Sequence, residues 1–443
     1  MRAVSPVMLA LTCLVPAAAA ESPKPHVLLI TVDTLRADAL GCYGNEHTPT
    51  PRVDALARRG VLFEDTITTI GKTGPAIASL FTSLYPPTHG ARRNGVPMRP
   101  DIPTLAETLQ AAGYRTGGFV SNWTLRSRLA AVHRGFDHWD EDFDRKRNPF
   151  GASERTATAV LDASLRWIRA QDKSDAPIFL WAHFSEPHDP YERHQGFEVP
   201  LPRERSDGWQ KRWRYASEVA FVDDAIGKLL DGVESTMPKS ERLTIFVADH
   251  GESLGEHGYW GHGKNTFWPT LRIPLVLEGV GVPRGKRVDS PVSIVDVLPT
   301  VLELLDLPAA EGMAGVSLAK AWRGDVSKDR ARFAFADRHS AIGPTGRTLY
   351  EHPLEIALQI ARVKTIYDFD RQRPRFFDLS ADPRENRPLE SSPVEFQPPL
   401  YRRLAAWYRE LPKYESRSGE LSAEDVEQLR ALGYIEGREA GGD

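Results

Sequence analysis

The sequence predicts an α/β fold in which a parallel-rich sheet is sandwiched by helices and followed by a small C-terminal α+β subdomain. Strand-length apolar runs alternate with helical patterns over most of the chain, and after about residue 325 the pattern changes to short segments. Residues 26–32 form a continuous apolar run that ends in polar residues, the signature of a strand buried on both faces. Further strands are expected at 116–120, 178–184, 243–248 and 274–278. Helices are expected at 51–59, 104–112, 154–170, 215–230 and 294–305, with a short one over 75–84 whose Pro75 suits a first helical position. Such alternation argues for a parallel sheet with helices on both sides. Beyond it, 333–336 and 363–367 read as strands and 398–410 and 423–432 as helices.

The 443 residues suffice for one large domain, or for a large domain with a smaller appendage, and the expected division is a leader over 1–20, a main domain over 21–325 and a subdomain over 326–443. A formal charge of −4 gives no reason to expect a nucleic-acid partner, and the basic cluster at 203–214 reads as solvated surface. Arg2, the apolar stretch 7–15 and Ala18-Ala19-Ala20 before Glu21 have the form of an export signal, so the mature chain is expected to be periplasmic or secreted. Thr12 is too large for the position before a lipoprotein cysteine, which argues against lipid attachment at Cys13. No later segment reaches ~18 apolar residues, so an integral membrane protein is not expected. Loss of the leader would leave Cys42 as the sole cysteine, without an internal disulfide and packed against the first helix.

Chemistry in a parallel α/β sheet gathers at the carboxyl ends of the strands. Here those ends deliver Asp33, then Glu186, Pro187 and His188, then Asp249 and His250. An aspartate after a strand more often caps the next helix than binds a metal. Carboxylates and an imidazole arriving from distant strands are, however, the makings of a one-metal site.

The local sequences then sharpen the reading. Val27-Leu28-Leu29-Ile30-Thr31-Val32-Asp33-Thr34-Leu35-Arg36-Ala37-Asp38-Ala39-Leu40-Gly41-Cys42-Tyr43-Gly44 resembles the opening strand and loop of the sulfatase family, within the alkaline phosphatase superfamily. Ala78-Ser79-Leu80-Phe81-Thr82-Ser83-Leu84-Tyr85-Pro86-Pro87-Thr88-His89-Gly90 is similar to the second half of the sulfatase signature. Pro187-His188-Asp189-Pro190-Tyr191 and the block from Ala248-Asp249-His250-Gly251-Glu252 to His257-Gly258 resemble two further family blocks, and the segments 377–386 and 429–434 resemble its tail. The resemblance implies a sulfatase-like sheet and a divalent metal ion (calcium, manganese or zinc).

Departures begin at the signature. The family pattern Cys/Ser-x-Pro-x-Arg falls on Thr73-Gly74-Pro75-Ala76-Ile77, so no formylglycine is expected, and the helper arginine is replaced by Ile77. Asp33-Thr34 carries one carboxylate where two are common, and the Gly-Lys-Trp-His-Leu block appears as Ser121-Asn122-Trp123-Thr124-Leu125. Threonine has precedents: Lys72-Thr73-Gly74-Pro75 resembles the Lys-Thr-x-Pro setting of nucleotide pyrophosphatase/phosphodiesterases, and phosphoethanolamine and phosphoglycerol transferases also use threonine.

By this resemblance Asp33, Thr73, Asp249 and His250 hold the metal, and Thr73 is the nucleophile, activated by the cation and placed at a positive helix start. Lys72, His262 and Lys264 would stabilise charge on the ester, and His188 would protonate the departing oxygen. His89, His183 and His194 read as packing or surface groups, and the glycosylation triplet Asn122-Trp123-Thr124 is assigned no role. The expected partner is an anionic ester: a sulfated or phosphorylated small molecule, glycan or lipid headgroup. Phosphodiesters are preferred, because a phosphothreonine can be resolved by water or an alcohol whereas a threonine sulfate lacks the aldehyde exit of formylglycine. The alternatives are sulfate-ester hydrolysis without formylglycine and a catalytically silent sulfatase-like protein that binds glycans.

Overall fold

A computed structural model of the chain describes residues 24–143, 155–171, 175–202, 205–336, 354–393, 399–414 and 422–431. The expected leader, Cys13 and the last residues of the tail block lie outside them.

The main sheet has eight strands in the order Lys286–Val288, Val61–Phe63, Leu275–Gly279, Arg242–Ala248, His26–Val32, Ile178–Phe184, Arg115–Val120 and His138–Asp140. His26–Val32 lies inside the sheet, parallel to both neighbours, which pair Val32 with Ala248 on one side and with Phe184 on the other. Its residues 27–32 are all buried, as its unbroken apolar run requires. This registration brings Asp33, Asp249 and Ser185 to one edge of the sheet.

The Leu275–Gly279 strand departs from the parallel expectation, running antiparallel to Arg242–Ala248 and to Val61–Phe63. Between residues 248 and 275 the chain makes only short turns, a two-stranded ribbon and the four-residue helix Trp268–Leu271. Without a crossover helix it cannot return to the amino end of the sheet, so it comes back alongside in the opposite sense. Val61–Phe63, His138–Asp140 and Lys286–Val288 were not anticipated; three residues are too few to display a period.

Helices cover the sheet. Pro51–Arg59 begins with proline and buries Val53, Leu56 and Ala57, three and four residues apart. Leu105–Ala111 is fixed by a reciprocal cap between Thr104 and Glu107. Trp209–Gly232 starts six residues before the expected 215, because Arg212 and Trp213 in its opening turns find the carbonyls of Leu254 and Val199. Thr73–Thr82 starts at Thr73 itself, with Lys72 as its cap, rather than at Pro75. Pro75 is tolerated as third residue because first-turn N–H groups have no partner within the helix.

Arg332–Ala336, Glu355–Ile360, Val363–Asp368 and Arg373–Asp378 form an antiparallel sheet in that order. The Leu400–Glu410 helix packs on it, with Trp407 stacked on Phe333. This smaller sheet grips the loops beside the larger one. Phe335 N–H donates to Thr69 O at 2.7 Å, and Glu355 Oε2 accepts Thr266 N–H and Oγ1–H at 2.9 and 3.0 Å. Glu385 accepts Trp268 N–H at 3.1 Å while paired with buried Lys364 at 2.7 Å. No described helix is long and apolar enough to cross a membrane.

Candidate active site

Asp33 leaves the Val32 strand end with its N–H on Phe184 O at 2.9 Å, which carries the carboxylate over the edge of the sheet. Asp249 leaves the adjacent strand, its Oδ1 accepting His250 N–H at 2.7 Å and Thr34 N–H at 3.3 Å. His250 turns Nδ1 to Gly251 O at 2.9 Å, so Nε2 faces inward as an acceptor. Thr73, at the start of its helix and fully buried, lies with Oγ1 3.4 Å from Asp33 Oδ2 and 3.4 Å from His250 Nε2. His250 Nε2 is in turn 3.5 Å from Asp33 Oδ1 and 3.6 Å from Asp249 Oδ2. The four residues expected to share a cation are thus brought together.

His183 joins them, against its reading as a packing group. Being one residue short of its strand end, it pairs with Thr31 rather than overhanging the sheet, yet its Nε2 reaches to 3.8 Å from Asp33 Oδ2. Its Nδ1 is held by Thr31 Oγ1 at 2.7 Å, and Thr31 also accepts Trp181 Nε1–H at 2.9 Å. Lateral strand pairing, which one sequence does not display, is the signal that finds this residue. His89 and His194 do pack, against Ser79 and against the ring of Phe221.

The spacing of the donor atoms fits a divalent ion. Separations of 3.4–3.6 Å among Thr73, Asp33, Asp249 and His250 exceed an ordinary O–H···O bond. Ligands about 2.0–2.5 Å from a shared ion would lie roughly 3–3.5 Å apart. Ligand atoms of Asp33, His183 and Asp249 lie within 4.8 Å of one another. Asp249 Oδ2 and His183 Nε2 are buried without hydrogen-bond partners, a cost of about 1–3 kcal/mol each that coordination would remove.

Electrostatics agree. Burial would raise the Asp33 carboxyl, but His183, His188 and His250 more than reverse this and hold it below the usual range. Burial, and then the charge of Asp33, push Asp249 well above it. Burial lowers His250 to about 4, with Asp33 opposing, so the ring is neutral and able to ligate.

A second cluster adjoins the first. The ring of His262 lies 4.5 Å from that of His250, with Nδ1 3.0 Å from Gly71 O and Nε2 3.3 Å from His188 Nε2. His188 Nδ1 stands 2.7 Å from Asp189 O. With both Nδ1–H groups turned to carbonyls, the facing Nε2 atoms are two acceptors that an added proton bridges. Burial and the nearby His250 and His188 depress His262 well below its ordinary value.

Lys72 is buried and passes Gly263, where φ is +84° and a Cβ would come within 3.0 Å of Lys72 Cε. Only glycine admits the lysine stem there. Lys264 is exposed on the same loop, at the rim rather than in the buried cluster. Ile77, at the position of the family arginine, is fully buried in the main core. Asn122 is the second residue that sequence reading passed over: fully buried, it donates Nδ2–H to Asp33 Oδ2. Its burial also removes the glycosylation triplet from consideration.

Acid and imidazole side chains are thus gathered over the carboxyl edge of a parallel-rich sheet. The chain belongs to the sulfatase family, within the alkaline phosphatase superfamily, and the family model matches residues 25–307. A relative described as an ulvan-active sulfatase, from Formosa agariphila, is 24% identical over 85% of this chain and 79% of its own length. A choline-sulfatase from Rhizobium meliloti is 25% identical over 84% of this chain and 83% of its own. Among solved structures, a phosphonate monoester hydrolase from Silicibacter pomeroyi superposes with a TM-score of 0.70 at 20% identity, covering 88% of this chain and 96% of that one. Members of the sulfatase family are ester hydrolases.

Proposed function

We propose that this chain hydrolyses, or transfers to an acceptor alcohol, an ester of phosphoric or sulfuric acid through Thr73, with phosphodiesters preferred. The observation that carries the reading is a buried threonine hydroxyl at a helix start, 3.4 Å from both Asp33 and His250. One divalent ion held by Asp33, Asp249, His250 and Thr73, with His183 beside them, would lower the pKa of that hydroxyl and polarise the ester.

The remaining steps fall to the chain's own groups. The positive start of the Thr73–Thr82 helix would lend its dipole to the anion, since the Gly74 and Ala76 N–H groups are taken by Asn94 Oδ1 and Lys72 O and Pro75 has none. Lys72, and Lys264 from the rim, set positive charge against its non-bridging oxygens. Thr73 Oγ, its proton passed to solvent, bonds to phosphorus as the ester oxygen departs, and that oxygen takes the proton held between His188 and His262. Water or an alcohol then gives its proton to the His188–His262 pair as it attacks phosphorus, and Thr73 Oγ recovers a proton from solvent as its bond to phosphorus breaks. A threonine sulfate has no equivalent of aldehyde collapse, which favours phosphorus. The sulfatases among the relatives favour the second reading, sulfate-ester hydrolysis without formylglycine. The leader-like start supports action outside the cytoplasm, on a sulfated or phosphorylated small molecule, glycan or lipid headgroup.

The test is a panel of aryl sulfate, phosphate monoester and phosphodiester substrates with calcium, manganese or zinc, comparing the native chain with Thr73→Ala. Phosphodiester turnover that vanishes in the variant supports the proposal. Turnover of the sulfate alone replaces phosphorus with sulfur, and silence on every substrate leaves the binding protein.

A further inference from the structure

Asn122 lies just beyond the Arg115–Val120 strand, separated from His26–Val32 by Ile178–Phe184, yet its side chain reaches Asp33 across that intervening strand. Its amide has no freedom in doing so. Oδ1 accepts the N–H of Thr124 at 2.8 Å and its hydroxyl at 2.7 Å, as cap of the short turn Trp123–Leu125. A flipped amide would set N–H groups against the Thr124 N–H and an oxygen against a carboxylate, so Nδ2 is committed to Asp33 Oδ2.

Both oxygens of Asp33 face the cluster, and the amide fixes one of them. Oδ2 accepts the Asn122 N–H while lying 3.4 Å from Thr73 Oγ1, and Oδ1 lies 3.5 Å from both His250 Nε2 and Thr73 Oγ1. A lysine at residue 122, as in the related family block, would bring a full positive charge to the same carboxylate. The neutral amide orients Asp33 and leaves its charge to the cation. We infer that Asn122, held by Thr124, is a positioning residue that fixes the Asp33 carboxylate and so sets the divalent-ion affinity of the site. This rests on the reading of Asp33 as a metal ligand.

Outer partners of metal-binding carboxylates contribute typically ~10–100-fold in affinity. Manganese titration of chelator-stripped protein, followed calorimetrically, reads this without any substrate. Asn122→Ala is expected to weaken manganese binding about 10–100-fold, and Thr124→Val to weaken it less but in the same direction. Circular dichroism on the metal-free proteins shows which variants fold; Thr124→Val carries the test alone should Asn122→Ala not fold. Asp33→Asn separates the two claims. Native affinity in Asp33→Asn removes the metal-ligand reading itself. Loss of binding in Asp33→Asn together with native affinity in a folded Asn122→Ala, or in Thr124→Val if that variant stands alone, overturns the role of Asn122 and leaves the ligand reading intact.

Discussion

His188 and His262 face each other Nε2 to Nε2 at 3.3 Å, each with its other ring nitrogen turned to a backbone carbonyl. A proton held there matters only when the departing oxygen needs one. His188→Gln is therefore expected to slow alkyl esters by about 10²–10⁴-fold while scarcely affecting 4-nitrophenyl esters, whose leaving group departs as a stable anion. Equal losses on both, in a leaving-group series of kcat, would contradict the assignment.

Thr73→Ser keeps the oxygen and Thr73→Ala removes it. The serine variant is expected to retain turnover within about tenfold of native and the alanine variant to lose roughly 10³-fold or more, as for other nucleophile deletions. Trapping of labelled phosphate on the protein in acid quench should follow the same order.

Without the proposed cation Asp249 Oδ2 and His183 Nε2 are buried and have no hydrogen-bond partner. Chelation is expected to abolish turnover and lower Tm, and readdition of calcium, manganese or zinc to restore both. At ~100 times Kd the bound ion stabilises the fold by about 2.7 kcal/mol. A thermal scan that does not respond to any of the three ions refutes the site.

Asp223 accepts Arg52 and Val53 N–H at 3.0 and 2.8 Å at the start of the Pro51–Arg59 helix, and burial, partly offset by those two bonds, raises it from 3.8 to about 6. A carboxyl raised on folding contributes stability that is complete below pH ~4 and lost as pH rises through ~6. Two pH units at 1.36 kcal/mol each give roughly 3 kcal/mol as an upper figure. Denaturant unfolding should show Asp223→Asn gaining on native protein between pH 4 and 7; a constant difference would exclude this linkage.

Lys364 and Glu385 form an ion pair at 2.7 Å with both side chains almost wholly buried. Lys364→Met leaves the buried Glu385 carboxyl without its counter-ion, at an expected cost of about 3–5 kcal/mol measured by urea unfolding. Turnover should fall as well, since Glu385 also holds Trp268 N–H on the loop that follows His262.

The long buried strands were legible because an unbroken apolar run leaves little else for 26–32, 178–184 or 243–248 to be. The three-residue strands were not, and Leu275–Gly279 was legible as a strand but not as a reversed one, since direction depends on the absent crossover rather than on local composition. The site divides in the same way. Asp33, Asp249 and His250 could be read from strand ends, because those positions project by construction. His183 and Asn122 could not, because each reaches the cluster sideways, through a pairing register or a cap, and neither leaves a mark in its own segment.

The clasp of Phe335 on Thr69, and of Glu355 and Glu385 on Thr266 and Trp268, bears on exchanges between relatives. A chimera joined near residue 325 would inherit every candidate ligand from one parent and the clamps that seat them from the other. Swaps that carry Thr266 and Trp268 together with their carboxylates should keep the catalytic loop in register, and swaps that split them should yield folded but sluggish enzymes.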